Sequence, residues 1–255
     1  RREFDTMDTF VCSAWYFMRY ADPTNYKDFA NKKKLKYWLP VDIYIGGTEH
    51  AAGHLLYARF ITKVLYKLGL IDFNEPFIKL RHQGLIMADN GEKMSKSKGN
   101  VVNPDEIIDG YGTDAFRMYE MFMGPFNQFI PWSMSGIEGV RKFLNRVWSL
   151  EPQSKAPKTD EALHKLIKKI TEDIEGLHFN TAVSSFMEFT NLAIKHGITK
   201  KSLKQLVVLL APFAPHLAEE MYSKLGSKKS VFDVQWPIFD SKLVEDRIVT
   251  IVVQV

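Results

Sequence analysis

A single cysteine, Cys12, stands in 255 residues. It excludes an internal disulfide and every metal site built from several thiolates, and it makes a reducing, cytoplasmic setting the natural expectation. No apolar run approaches the roughly 20 residues that cross a bilayer. Neither a leader-like segment nor an internal repeat is visible. Charge of one sign is also missing: 34 Lys and Arg face 30 Asp and Glu, a net +4. Such a small positive balance permits contact with a phosphate backbone without making a basic stripe. The stretch from Glu151 to Lys204 is equally mixed, with nine Lys against seven Asp or Glu. Two chemical signatures are incomplete. Gly91-Glu92-Lys93 lacks the earlier glycine and the Gly-Lys pair of a P-loop. His50 and His54 share one helix face, but His-Ala-Ala-Gly-His lacks the zincin glutamate and no third ligand is evident, so no metal site is expected.

What is present is concentrated between Lys93 and Asn100. Lys93-Met94-Ser95-Lys96-Ser97-Lys98-Gly99-Asn100 packs three ammonium groups and two hydroxyls into a flexible turn. Lysines are mobile point charges toward phosphate oxygens, hydroxyls and backbone N–H groups add directed donors, and Gly91 and Gly99 let the loop fold over a ligand. The loop runs into Asn103-Pro104-Asp105-Glu106, where Asn103 suits the N-cap, Pro104 the first helical position and Glu106 the third position of a capping box. The dipole of that helix adds to the pull on an anion.

Val41 to Ile45 is an apolar run ended by Gly46-Gly47, and Leu55, Leu56, Phe60, Val64, Leu65 and Leu68 follow at helical spacing up to Gly69. This reads as a buried strand, a tight turn and a helix, the arrangement that brings backbone close to a nucleotide at the carboxyl end of a parallel sheet. Phe77 to Met87 reads as a strand bent at Gly84, and Lys32-Lys33-Lys34-Leu35-Lys36 as an exposed loop with a diffuse attraction to RNA. Phe10, Ser13 and Tyr16 recur every three residues, which on a helix makes one face.

After the lysine loop, Ile107, Ile108 and Tyr111 make an apolar stripe that stops at Gly110 and Gly112, and Thr113-Asp114 restarts a helix in which Asp114 and Arg117 are spaced to pair. Ile137, Val140, Phe143, Leu144, Val147 and Trp148 then repeat at helical spacing. Glu151 to Lys158 is a polar, proline-bounded linker. Three helical patterns follow, roughly 160–175, 181–196 and 200–225, the last expected to kink at Pro212 and Pro215.

Lys93-Met94-Ser95-Lys96-Ser97 resembles the signature loop of the class I aminoacyl-tRNA synthetases, a match that arises by chance in a chain this long about once in 10,000. Asp8-Thr9-Phe10-Val11-Cys12-Ser13-Ala14-Trp15-Tyr16-Phe17 and the stretch Tyr44-Ile45-Gly46-Gly47-Thr48-Glu49-His50-Ala51-Ala52-Gly53-His54 through Phe60 resemble leucyl-tRNA synthetases in particular. Leu209-Leu210-Ala211-Pro212-Phe213-Ala214-Pro215-His216-Leu217-Ala218-Glu219-Glu220-Met221-Tyr222 resembles the helical bundle of the same class. The resemblance implies ATP-dependent activation of leucine and its transfer to tRNA(Leu), with Mg2+ accompanying ATP but no dedicated protein ligands for it. It implies that Lys96, helped by Lys93, stabilises charge developing on the phosphates, with Ser95 and Ser97 in the ATP-binding set. Gly46, Gly47 and Glu49 would hold ribose, and Gln83, Leu85 and Ile86 would lie near adenine, although Gln83, like His82, reads equally as a polar residue at a sheet edge. Phe10, Ser13, Tyr16 and His50 would line the leucine pocket, with His54 nearby.

The expected fold is α/β plus all-α. Residues 1–135 form the C-terminal half of a Rossmann-type catalytic domain, 136–226 an anticodon-binding-like helical bundle, and 227–255 a linker and the first strand of a further small domain. Arg247 to Val255 is a β-prone segment with no partner strand nearby in sequence, Arg1 is not a start methionine, and no second histidine signature precedes Asp8. These features suggest a fragment or split subunit that needs an N-terminal half as partner. The rival expectations are a valyl, isoleucyl or methionyl relative, and a non-catalytic tRNA-binding fragment.

Overall fold

Parallel pairing of two strands joined through a helix organises the first part of the chain, in a computed structural model that describes residues 6–244. Strand β1 (Val41–Gly47) runs beside β2 (Phe77–Gln83), with Val41 opposite Phe77 and Gly47 opposite Gln83. Parallel neighbours need a crossover, and α4 (His54–Lys67) supplies it. Gly69, at φ +68°, ends that helix with the left-handed turn that glycine adopts without penalty. Ahead of the sheet lie α1 (Thr9–Ser13), α2 (Tyr16–Ala21) and α3 (Lys32–Trp38). Phe17, Met18, Leu35, Ala58 and Ile71 form the core of this body.

Three expectations for this body are corrected. The lysine run is helix α3 rather than a loop: Asn31 caps it by accepting from the Lys33 N–H, Leu35 anchors it in the core, and Lys34 pairs with Asp22. Phe10, Ser13 and Tyr16 do not share one helix, because the chain turns at Ala14 and Trp15 and α2 begins afresh at Tyr16. Strand β1 is not buried throughout, and Ile43 and Ile45 remain about half exposed. In α4 the buried face carries His54, Leu55, Ala58 and Thr62, while Leu56, Phe60, Val64 and Leu68 lie outward.

The second body begins at Ile86, so the bend at Gly84 leads to the division between the two. The boundaries expected at 135/136 and 226/227 both lie inside this second body. Its first strand, β3 (Ile86–Met87), pairs in parallel with β4 (Ile130–Pro131). Between them come the lysine loop, α5 (Pro104–Tyr111) and α6 (Thr113–Phe122). Then follow α7 (Met134–Trp148), α8 (Pro157–Gly176), α9 (Phe179–His196), α10 (Lys200–Leu210) and α11 (Pro215–Lys224). The α/β-then-helical order expected from the sequence is present.

Apolar residues at helical spacing converge on one core that holds Phe143, Ile167, Phe186, Leu206 and Phe213. Burial of each such side chain contributes about 1.5–3 kcal/mol. The prolines break the last helical pattern rather than kink it. The helical run ends at Leu210, and Pro215 opens α11 at a position where its missing N–H costs nothing. The linker carries a short strand of its own, β5 (Pro152–Gln153), paired in parallel with β6 (Ile198–Thr199). The β-prone tail from Arg247 to Val255 lies outside the described residues.

Candidate functional site

In the first body, the carboxyl ends of β1 and β2 and the start of α4 enclose a cavity of about 280 Å³, lined by Gly46, Gly47, Glu49, His50, His54 and Gln83 together with Tyr44. The register sets Gly47 beside Gln83, which brings two residues expected near the nucleotide to one wall. The Glu49 carboxylate folds back over Gly47, into the space a β-carbon there would take, so a larger residue at this position would push the carboxylate aside.

Aromatic rings form the neighbouring wall. The Phe10 ring meets His50 edge-on at 6.4 Å and lies 5.8 Å from Tyr57. It also covers Gly53, where a β-carbon would come within 3.3 Å of the ring. His50 and His54 are edge-on at 6.3 Å. Tyr16 Oη and Tyr44 Oη are 2.9 Å apart, and Tyr44 Oη is 2.7 Å from His54 Nε2. The Tyr44 ring also stacks on Phe77 at 3.9 Å.

Four of the five residues expected to hold leucine therefore meet: Phe10, Tyr16, His50 and His54. Ser13 spends its hydroxyl on the Phe10 carbonyl at 3.2 Å. Tyr44 was not anticipated from sequence. Its only signal was a phenol inside an apolar strand, and its partners come from α2 and α4.

Electrostatics set the protonation of this wall. Burial, and then the hydrogen bond with Tyr16, raises the Tyr44 phenol well above its usual range, so the hydroxyl stays protonated. Burial, and then the charge of His50, lowers His54 below its ordinary value, so it stays neutral near pH 7. His54 is 8% exposed, and its Nδ1 has no hydrogen-bond partner.

In the second body, the lysine loop is held by its own backbone and by Asn100. Met87 bridges to Lys93, and the Ala88 N–H donates to the Glu92 carbonyl at 2.8 Å. The Asn100 side chain accepts from the Ser95 N–H at 2.8 Å and donates to the Lys93 carbonyl at 3.4 Å. Ser95 and Ser97 hydroxyls are 2.8 Å apart. Lys96 to Lys98 is a single 3₁₀ turn, closed by Gly99 at φ +65°.

Only one of the three lysines is neutralised here. Lys98 Nζ donates to Glu92 at 2.9 Å, whereas Lys93 and Lys96 have no carboxylate partner among the described residues. The loop leads into α5, whose cap is Asn103, accepting from the Asp105 N–H at 3.1 Å. Glu106 does not complete the capping box. Its carboxylate receives the Asn103 amide instead. Of the remaining residues expected near adenine, Leu85 follows the bend at Gly84 and ends the first body, and Ile86 opens the second body's first strand.

Residues 1–132 match the family model for class I tRNA synthetases (I, L, M and V). The chain belongs to this family. Residues 160–255 match a second model, the anticodon-binding domain of tRNA ligases. The parallel pair β1–β2 thus belongs to the Rossmann-type portion of a class I synthetase, and helices α8 to α11 to its anticodon-binding domain.

Among solved structures, the chain is similar to the agnB2 LeuRS of Agrobacterium radiobacter K84, a ternary complex with tRNA and LeuAMS. Identity is 38%, the TM-score is 0.87, and the match covers 96% of this chain and 34% of that one. It is also similar in fold to methionyl-tRNA synthetase of Mycobacterium tuberculosis bound to methionyl-adenylate, at 16% identity and TM-score 0.62, over 80% of this chain and 47% of that one. A second structure of that enzyme with methionyl-adenylate gives 16% and 0.61, over 85% and 54%. The chain spans about a third to a half of the length of these synthetases.

Proposed function

We propose that the chain is the leucine-activating and tRNA-facing portion of a leucyl-tRNA synthetase. It would work with the remaining half of the nucleotide fold to join leucine to ATP as an adenylate and then to tRNA(Leu), in the cytoplasm. The observation that carries the choice of leucine is the 38% identity to the agnB2 LeuRS across 96% of this chain. The aromatic and histidine wall supports it, because Phe10 meets His50 and Tyr16 lies against His54, and such rings suit a branched aliphatic side chain.

The division of labour follows from the chemistry. The first body supplies the backbone of Gly46 and Gly47, with Gln83, toward the nucleotide and the Glu49 carboxylate as acceptor for ribose hydroxyls. The second supplies Lys93 and Lys96 through the signature loop, with the Ser95 and Ser97 hydroxyls, and the backbone of Leu85, which ends the first body, and of Ile86, which opens the second, would complete the ATP contacts. As the leucine carboxylate oxygen attacks the α-phosphorus, the bond to pyrophosphate breaks and negative charge builds on the phosphate oxygens. Ammonium groups not already neutralised by a carboxylate stabilise that charge most. Mg2+ would accompany ATP. The helical bundle gives the tRNA platform.

One methylene more or less in an apolar slot discriminates by only about 1–3 kcal/mol, so the amino acid dependence is expected to be graded rather than absolute. Pyrophosphate exchange measured with leucine, isoleucine, valine and methionine tests the assignment. Leucine is expected to lead by about tenfold or more. A lead by valine, isoleucine or methionine would move the chain to that relative, and tRNA binding with no exchange for any amino acid would leave the non-catalytic reading.

A further inference from the structure

The two legs of the lysine loop are anchored in different ways. The leg entering the loop is held locally. β3 pairs with β4, the Trp132 N–H donates to the Met87 carbonyl at 2.9 Å, and Met87 bridges to Lys93. The leg leaving the loop enters α5 and α6, and these are tied to three separate elements of the helical bundle.

Arg141 Nη1, on α7, donates to the Gly110 carbonyl at 2.8 Å. Asp114, in the first turn of α6, accepts from the backbone N–H of Leu217 at 2.7 Å and of His216 at 3.3 Å, and it lies 2.8 Å from His216 Nδ1. One turn later, Arg117 donates to the Pro212 carbonyl at 3.1 Å. The expected pair between Asp114 and Arg117 is therefore absent. Both side chains reach instead to residues 95 to 103 positions away, on either side of the break between α10 and α11.

Asp114 acts as a cap supplied from another helix. The N-cap residue of α11 is Ala214, which has no side-chain acceptor, so the first N–H groups of that helix would otherwise lack partners. A carboxylate there makes charge-assisted bonds and complements the helix dipole. Arg117 does the converse, giving a donor to a carbonyl just past the end of α10.

We propose that Asp114, with Arg117, is a positioning residue for the signature loop. By fastening α6 to the junction of α10 and α11, it fixes the frame from which Lys93 and Lys96 project. The proposal rests on the reading of that loop as the ATP-contacting element. A group displaced by about 1 Å from its productive position costs up to about 100-fold in rate, so the frame matters to chemistry although Asp114 touches no substrate.

The test is Asp114→Asn, assayed in the chain together with the other half of the nucleotide fold where the chain alone is inactive. Four quantities are read: kcat and KM for leucine-dependent pyrophosphate exchange, amide hydrogen exchange in 93–99, and amide hydrogen exchange in α8 and α9. The expected result is a fall in kcat of about tenfold with the leucine KM held within about twofold. Amides in 93–99 exchange faster, those of α8 and α9 are unchanged, Arg117→Ala shifts the same quantities in the same direction, and Asp114→Glu recovers part of the loss. Wild-type exchange at 93–99 in Asp114→Asn overturns the proposal. So does a loss of kcat matched by faster exchange throughout α8 and α9, which would make Asp114 a stabilising cap and nothing more. If the wild-type protein activates no amino acid, the functional reading fails by itself, and the amide exchange at 93–99 still decides whether Asp114 sets the loop.

Discussion

Tyr44 and His54 are joined by a 2.7 Å hydrogen bond between the phenol oxygen and Nε2, and the same phenol lies 2.9 Å from the hydroxyl of Tyr16. One residue on a strand thus ties together two helices, α2 and α4, that each carry one residue assigned to the amino acid pocket. Tyr44 remains a hydroxyl because burial opposes its ionisation.

Tyr44→Phe keeps the ring and its stack on Phe77 but leaves both nitrogens of the buried His54 without a partner. An orphaned buried polar group costs about 1–3 kcal/mol, so denaturant unfolding is expected to show a loss of that size. In exchange assays the leucine KM rises more than kcat falls. Unchanged stability and an unchanged KM would show that the hydrogen bonds do not hold the wall in place.

His54 gives the pocket a pH dependence. Its folded-state value is depressed below 6.5, first by burial and then by His50, so the unfolded chain binds the proton more tightly. The contribution to stability is therefore complete above pH 6.5 and is lost as pH falls through the lower folded value. NMR titration of the imidazole should give a midpoint below 6.5, and leucine affinity should weaken over that interval. A midpoint at or above 6.5 would contradict the burial.

Glu75 gives the first body a second, more acidic transition. Its carboxyl is held at about 2, below the usual 4.5, by hydrogen bonds from Arg59 and then Lys63. The stabilisation is present above pH 4.5 and is lost as pH falls towards 2. The group is 43% exposed, so screening limits the pair to about 0.5 kcal/mol. Glu75→Gln should flatten that part of the acid unfolding curve at low salt and change little at neutral pH.

The signature-loop lysines should not be equivalent. Lys96 has no carboxylate partner among the described residues, whereas Lys98 is spent on Glu92. Lys96→Ala is expected to lower the activation rate about 100- to 1,000-fold, the usual cost of a preplaced charge at a developing anion. Lys98→Ala should cost far less. Equal losses in both variants would remove the distinction.

Local signals in the sequence carried much of this organisation. Gly84 marked the bend that leads to the second body, Asn103 and Pro104 marked the start of α5, and Gly46-Gly47 with Glu49 marked the turn where the cavity forms. The failures came from interactions that spacing cannot show. Asp114 and Arg117 look like an ordinary pair one turn apart, but their partners lie about a hundred residues away. Tyr44 looks like a core residue of a strand until α2 and α4 are brought to it. The charge of the lysine run suggests a solvated loop, although Asn31 before it and Leu35 within it are a helix cap and an anchor. The outward stripe of α4, from Leu56 to Leu68, has the periodicity of a buried face, and periodicity alone cannot say which of two faces the core takes.

Leucine-dependent ATP–pyrophosphate exchange, on this chain alone and again with a polypeptide carrying the other half of the nucleotide fold, tests the central claim most directly. The account predicts exchange in the mixture that leucine drives and that Lys96→Ala lowers about 100- to 1,000-fold. No leucine-dependent exchange in a mixture shown to associate would contradict it.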